Sequence, residues 1–223
     1  FGKADCTVFR KVMSTEDTIH EFAPTLRTEA QARAFRVALQ TLGDLCGFGI
    51  NYFGVQVTAA VWKDSGINSI KDLNNKNVAV TSGTTAVALL KKFEKDNGIK
   101  IRYLMTKDFA ESMQLVAKKR AAAFVIDDVL LAGQISNLPN PQDFKIVDAS
   151  LSVEPYAPMF AKDDPAFKAL VDKTIVGMMK DGTLDKLYKK WFESPIPPKN
   201  ANLNFPMNSV TKELFANPNS DGI

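Results

Sequence analysis

The strongest constraint in this sequence is the alternation of strand-like and helix-like segments between residues 77 and 150. The strand candidates are the apolar runs NVAVTS, KIRYLMT, AAAFVID and FKIVDAS. The helix candidates between them are TAVALLKKFEKDN, DFAESMQLVAKKR and the segment from Asp128 to about Ser136. This βαβαβαβ order predicts an α/β fold with a parallel sheet and right-handed crossovers. Open sheets of this kind bind ligands at the carboxyl ends of their strands.

The turn SGTT lies at such a strand end, where the first of these strands passes into the first helix. Gly83 lets the backbone approach a ligand closely. Ser82, Thr84 and Thr85 offer hydroxyls and free amides at a helix N-terminus, where a carboxylate or a phosphate is favoured. Simple helix capping by these side chains is the alternative. The turn lacks the Gly-x-x-x-x-Gly-Lys and Gly-x-Gly-x-x-Gly patterns, which disfavours a nucleotide.

Asp127 ends the third strand and is followed directly by Asp128. A carboxylate at that position can hold an ammonium group. Together with the SGTT turn it matches the two charges of a zwitterion such as an amino acid. Either aspartate can equally serve to cap the helix that follows.

The composition excludes several classes of protein. A chain of 223 residues with 45% hydrophobic and 24% charged residues is typical of a soluble globular protein. Its longest apolar runs, such as AAAFVI, fall short of the roughly 20 residues that span a bilayer. The net charge of only +3, with acidic residues interleaved, argues against nucleic acid as a partner.

The sequence predicts no catalytic residues, no metal site and no cofactor. His20 is the only histidine and has no cysteine in a ligand spacing, so neither a metal site nor a Ser-His-Asp set is indicated. Cys6 and Cys46 allow one disulfide but do not argue for it. The start at Phe1, without an apolar signal segment, is compatible with a processed export product and equally with a fragment.

Four motifs, in this order and spacing, resemble a known family: KDSGINSIKDLNNKNVAVTSGTTA, RAAAFVIDDVLLAG, EPYAPMFAKDDPAFKALVD and WFESPIPPKNANLNF. From about Ile50 to about Pro218 the chain resembles the periplasmic solute-binding proteins of polar amino-acid ABC transporters (family 3), and most of all their glutamate/aspartate branch.

The resemblance implies an α/β two-lobe fold of the type II periplasmic-binding-protein kind, with parallel sheets flanked by helices and a hinge of two crossing strands. Lobe one is expected to comprise residues 1–62 and 156–223, and lobe two residues 68–151. The crossing strands would run through residues 57–63 and 156–161.

In that family the Gly-Thr-Thr turn binds the α-carboxylate of the ligand and the aspartate before the next helix binds its α-amine. The corresponding residues here are Thr84, Thr85 and Asp127, with Ser82 beside them on the same turn. Tyr156, on the second crossing, is a further candidate for lining the cleft.

The N-terminal part departs from the family pattern, so we expect a diverged, truncated or rearranged first lobe. The segment that should carry a carboxylate-clamping arginine is missing, and Thr58 occupies the position of the arginine that precedes the hinge in the glutamate branch. Arg27, Arg33 and Arg36 have helical spacing that is typical of a solvated face, although any of them can still reach the cleft.

The implied function is the periplasmic amino-acid-binding component of an ABC transporter, a monomer that binds a glutamate- or aspartate-like ligand without catalysis and is recognised by a membrane permease. One alternative is a periplasmic dehydratase of the cyclohexadienyl or prephenate type, with Asp127, Asp128 or Glu154 as its acid or base. The other is a diverged relative that binds no ligand and uses lobe two as an interaction module.

Overall fold

The computed structural model describes residues 46–161, 164–197 and 200–220. Its strands are β1 (Cys46–Phe48), β2 (Phe53–Trp62), β3 (Asn77–Thr81), β4 (Arg102–Thr106), β5 (Ala123–Asp127), β6 (Phe144–Ile146), β7 (Ser152–Tyr156) and β8 (Met159–Ala161). Its α-helices are α1 (Thr85–Asn97), α2 (Phe109–Ala117), α3 (Asp128–Ser136), α4 (Pro165–Lys180), α5 (Thr183–Phe192) and α6 (Ser209–Ala216). Among these residues, no helix has the length and apolar composition needed to cross a membrane. Five residues singled out in the N-terminal part lie outside the described residues: Cys6, His20, Arg27, Arg33 and Arg36. The prediction about pairing of Cys6 with Cys46 therefore falls outside them too.

The chain divides into two compact units. The first contains the described parts of Phe1–Gly54, Glu154–Tyr188 and Met207–Ile223. The second contains Val55–Val153 and the described part of Lys189–Pro206. The chain therefore passes between the units four times: within β2, within β7, within α5 and between Pro206 and Met207.

The sheet of the second unit has the strand order β4-β3-β5-β2-β6. β3 is parallel to both β4 and β5, while β2 is antiparallel to β5 and to β6. The four strands predicted after residue 77 therefore run in one direction, as expected. The whole sheet is mixed, however, because β2 lies between β5 and β6 and is antiparallel to both. β2 precedes the alternating series, and its ten residues are nearly all buried, so it requires partners along both of its edges.

Helices cover this sheet on both faces. Along β3, Val78 and Val80 belong to one apolar cluster with Leu90 of α1, whereas Ala79 belongs to a second cluster with Met113 of α2. Successive side chains of a strand point to opposite faces, so a strand covered on both faces must be apolar at every position. This explains why β3 and β5 are near-continuous apolar runs.

The helix boundaries follow local signals, with one exception. α1 ends at Gly98, whose φ of +66° is the left-handed conformation that favours glycine after a helix. Asp108 caps α2 by accepting a hydrogen bond from the amide of Glu111 at 2.8 Å. The predicted continuation of α2 through Arg120 was wrong: α2 ends at Ala117, and Lys119 takes a left-handed φ of +56° that breaks the helix.

The first unit is held together by contacts between segments that are distant in sequence. β1 pairs with β8 in antiparallel register, and α4 packs on α6. The amide of Gly54 donates to Oγ1 of the fully buried Thr211 at 3.0 Å, and Nδ2 of Asn208 donates to the Gly54 carbonyl at 2.7 Å. A Cβ at position 54 would lie 2.8 Å from the Cβ of Val210, so only glycine permits α6 to approach this closely.

We expect Gly54→Ala to lower the free energy of unfolding by about 1 to 3 kcal/mol, because the added methyl group overpacks the contact with α6. Gly177→Ala is the matched control in the same unit. No atom lies within 4 Å of its added Cβ, and alanine in a helix interior is worth about 0.5 to 1 kcal/mol more than glycine. Urea unfolding followed by circular dichroism measures both. A Gly54→Ala midpoint at or above that of the wild type would contradict the close approach.

Candidate functional site

The carboxyl ends of β4, β3 and β5 form one edge of the sheet in the second unit. Thr81 pairs with Thr106, and the amide of Ser82 donates to the Thr106 carbonyl at 3.0 Å. On the other side, Ala79 of β3 pairs with Phe124 of β5 in parallel register. Continuing that register for three residues brings Ser82 beside Asp127. The SGTT turn and Asp127 thus follow adjacent strands at the same edge of the sheet.

The SGTT turn presents the N-terminus of α1 without a side-chain cap. Gly83 has a left-handed φ of +79°, and Thr84 is the N-cap residue. The Thr84 side chain accepts no hydrogen bond from the helix, because its hydroxyl donates to the Thr81 carbonyl at 2.8 Å. α1 also carries no acidic residue in its first turn. The capping alternative is therefore wrong for Thr84, and the positive end of the α1 dipole is left for an external anion.

Thr85 and Ser82 place two further hydroxyls at this helix end. Thr85 is only 8% exposed, yet its hydroxyl forms no hydrogen bond with any other described residue. The hydroxyl oxygen itself is not fully buried, so it can bond a ligand at this edge. Ser82 is exposed, and its amide is held by β4.

The adjacent aspartates at the end of β5 have different structural settings. Oδ1 of Asp128 accepts hydrogen bonds from the amides of Gln56 at 3.1 Å and Val129 at 2.8 Å, which ties β2 to the start of α3. Asp127 is the N-cap residue of α3 but makes no side-chain cap bond, and it is 8% exposed. The capping interpretation thus suits Asp128, which accepts from the Val129 amide in the first turn of α3, and not Asp127, which makes no cap bond.

A buried hydroxyl cluster lies behind this edge, and the sequence analysis missed it. Oγ1 of Thr81 lies 3.0 Å from Oγ of Ser112 and 3.4 Å from Oγ1 of Thr106, and the last two hydroxyls also bond each other. All three residues are at most 5% exposed. The cluster joins the ends of β3 and β4 to α2, which holds the strand ends in register below the turn. The only sequence signal was that both strands end on threonine after an apolar run.

Two other positions from the sequence have structural contacts of their own. Tyr156 belongs to the first unit, where its carbonyl accepts from the Tyr52 amide at 2.9 Å and its ring stacks on Phe53 at 6.2 Å. Its role in ligand binding stays a prediction. Thr58 is 1% exposed, and its hydroxyl bonds the carbonyls of Val147 at 2.6 Å and Ala149 at 2.8 Å. The Thr58 hydroxyl thus bonds the backbone that follows β6.

The site offers hydroxyls, helix amides and a carboxylate. Within the described residues, no group of three His, Cys, Asp or Glu side chains is arranged to hold a metal ion. Hydroxyls and helix amides favour an anionic group at the turn, and the Asp127 carboxylate favours a cationic group.

Comparison with known proteins agrees with this arrangement. The glutamate/aspartate import solute-binding protein of Escherichia coli (strain K12) is 38% identical over 176 residues, which are 79% of this chain and 58% of that protein. The chain thus spans well under two thirds of the length of this relative.

Solved structures share the fold. An ancestral arginine-binding protein bound to arginine superposes with a TM-score of 0.55 and 34% identity, covering 66% of this chain and 64% of that one. An ancestral amino acid-binding protein, a precursor of cyclohexadienyl dehydratase, gives a TM-score of 0.55 and 32% identity over 68% of this chain and 63% of its own. These likenesses confirm the α/β fold of type II periplasmic binding proteins.

A family model covers most of the described chain. Residues 47–194 match the bacterial extracellular solute-binding proteins, family 3. The matched range contains the SGTT turn, Asp127 and three of the four passages between the two units. This chain therefore belongs to the family 3 bacterial extracellular solute-binding proteins.

Proposed function

We propose that this chain is the amino-acid-binding component of an ABC importer, and that it holds a glutamate- or aspartate-like ligand without chemical conversion. The observation that carries the proposal is the uncapped N-terminus of α1, with the unbonded hydroxyl of Thr85, beside the strand that ends at Asp127. The names of the relatives support the ligand class.

The α-carboxylate of the ligand binds at the SGTT turn in this proposal. The first-turn amides of α1 point toward it, the hydroxyls of Ser82 and Thr85 donate to its oxygens, and the helix dipole favours its charge. Hydrogen bonds to a charged group contribute about 1.5 to 3 kcal/mol each, so a few of them suffice to hold a carboxylate.

The α-amine of the ligand binds at Asp127. Both charged groups of an amino acid are attached to the same carbon, so their protein partners must lie on adjacent strands, as the extended register of β3 and β5 supports. Asp127 is largely shielded from water, which strengthens its attraction to an ammonium group. Tyr156 is proposed as a further ligand-binding residue.

A glutamate or aspartate ligand also carries a side-chain carboxylate. Thr58 bonds the sheet backbone and supplies no cation, so a glutamate or aspartate side chain needs a positive partner elsewhere. Family membership and the import role of the relatives further support a location outside the cytoplasm, in the periplasm, and a membrane permease as the partner of a monomeric binding protein.

A dehydratase is the second candidate, because one structural neighbour is a precursor of such an enzyme. It requires an acid or base at the ligand. Asp128 is occupied by two backbone amides, which leaves Asp127 and the buried Glu154. Loss of prephenate on incubation with the purified chain would favour this candidate over a binding protein.

The test of the proposed function is a thermal-shift screen of the chain with L-amino acids and dicarboxylates, followed by calorimetric titration. A ligand at a hundred times its dissociation constant stabilises the folded state by about 2.7 kcal/mol. We expect the largest shift with L-glutamate or L-aspartate. No shift with any amino acid would contradict the proposal and favour a non-binding relative.

We expect Asp127→Ala to weaken binding of the amino acid more than tenfold, since about 1.4 kcal/mol of amine contact is worth that factor. Asp148→Ala, which removes an exposed carboxylate, is the control and should leave affinity unchanged. Glutarate, which is glutamate without its amine, should bind the wild type and Asp127→Ala alike. Equal glutamate affinity of Asp127→Ala and the wild type in titration calorimetry would rule out the amine contact.

Thr85→Val should weaken binding about threefold to tenfold, less than Asp127→Ala, because one hydroxyl is lost while the helix amides stay in place. Thr174→Val is the control, since its hydroxyl bonds the Leu170 carbonyl on the exposed side of α4. Titration with 4-aminobutanoate, which lacks the α-carboxylate of glutamate, completes the comparison. If that compound binds as tightly as glutamate, the SGTT turn is not a carboxylate site.

A further inference from the structure

A basic cavity lies at the opposite edge of the same sheet, where the parallel strands begin. Its volume is about 430 Å³, within the usual range for small-molecule sites. Arg102 is the first residue of β4, Lys76 directly precedes β3, and Lys119 and Arg120 lie in the turn before β5. The amino ends of all three parallel strands thus contribute a cation to one cavity, which we call the basic cavity.

The basic cavity carries a strong excess of positive charge. Four cationic residues and a single acidic residue, Asp64, line it, a net charge of +3 that equals the formal charge of the whole chain. None of the four cations forms an ion pair with another described residue. Lys76 contributes to the lowered pKa of Asp72, but as the smallest cause, after the hydrogen bonds from the amides of Asn68 and Ser69. Among the residues that line the basic cavity, only Asp64 opposes this charge, and no ion pair with a described residue offsets it.

Contacts within the cavity hold two of these cations in place. Nη2 of Arg102 donates to the Asn75 carbonyl at 2.7 Å, and the Lys119 ammonium lies 4.7 Å from the centre of the Trp62 ring. The Trp62 indole is itself fixed, because its Nε1 donates to the Val116 carbonyl at 2.7 Å. Positioned cations lose less conformational entropy on binding an anion than free ones do.

The backbone at the cavity is in an uncommon conformation. Asn75 and Lys119 both line the cavity and have φ values of +59° and +56°. The left-handed region is ordinary for asparagine but costs free energy for lysine. Such conformations cluster at functional sites, where the surrounding structure imposes them.

We propose that the basic cavity binds a phosphate group, free or esterified. Two arginine side chains suit the bidentate recognition of a tetrahedral oxyanion, and the amide groups of Asn75 and Asn77 add donors of matching polarity. The site is separate from the proposed amino-acid site, because the two lie at opposite ends of the parallel strands.

The binding test is a titration of the chain with sodium phosphate at constant ionic strength, with sodium chloride as the blank. The probe is the fluorescence of Trp62, which lines the cavity, in a Trp191→Phe background that removes the other tryptophan. We expect a saturable change with phosphate. The double variant Arg102→Gln/Arg120→Gln should bind at least tenfold more weakly, whereas Lys95→Gln/Lys173→Gln, which removes two exposed cations elsewhere, should bind like the wild type.

Flotation with vesicles distinguishes the source of the phosphate. Binding to phosphatidylglycerol vesicles but not to phosphatidylcholine vesicles, lost in Arg102→Gln/Arg120→Gln, supports the site with a lipid headgroup as its occupant. Saturable phosphate binding without flotation supports a soluble phosphate compound. A non-saturating response without flotation, or equal weakening in both double variants, overturns the proposal. The last result would mean that the cations act only through overall charge and through the C-terminal dipole of α2. Circular dichroism of each variant establishes that it is folded.

Discussion

Burial of the central sheet on both faces is the constraint on which the rest of the second unit depends. With helices on each side, the backbone of β3, β5 and β2 is largely shielded from water, so its amides and carbonyls pair with neighbouring strands. A slip of one residue would exchange the two faces of a strand, so that Val78 and Val80 of β3 would take the place of the smaller Ala79 against α2. The hydroxyls of Thr81, Thr106 and Ser112 reinforce this register where the strands end.

The same register separates two kinds of chemistry. At the carboxyl ends of the parallel strands lie hydroxyls, an uncapped helix N-terminus and Asp127, a set suited to a small zwitterion. At their amino ends lie arginines and lysines around a cavity. Helix dipoles contribute at both edges: α1 presents its positive end to the first, and α2 places its negative end near Lys119 and Arg120 at the second. In a parallel sheet, residues that follow the strands thereby meet at one edge, and residues that precede them meet at the opposite edge.

Local sequence signals predicted much of this unit. α1 and α3 have the bounds expected from hydrophobic spacing and, for α1, from the glycine that ends it, because short-range contacts and caps decide where a helix begins and ends. The predicted C-terminus of α2 was three residues too late, because lysine and arginine favour helices. The left-handed turn at Lys119, which ends the helix, is set by the tertiary structure. The position of β2 between β5 and β6 was not predictable from spacing, because its partners follow it by more than 60 residues and pairing at that distance leaves no local trace.

For the candidate site, the sequence alone determined which residues stand at the strand ends, and the four motifs that resemble family 3 identified the family that the comparison then showed. The sequence did not show which of Asp127 and Asp128 bonds the backbone. It also did not show whether the threonines of the turn cap α1 or keep a hydroxyl available for a ligand. Only the tertiary structure decided those questions, since they depend on whether a partner from another segment, such as the amide of Gln56, occupies the side chain. The basic cavity was likewise decided by tertiary structure, because its cations come from three separate loops and share one edge only after the strands have paired.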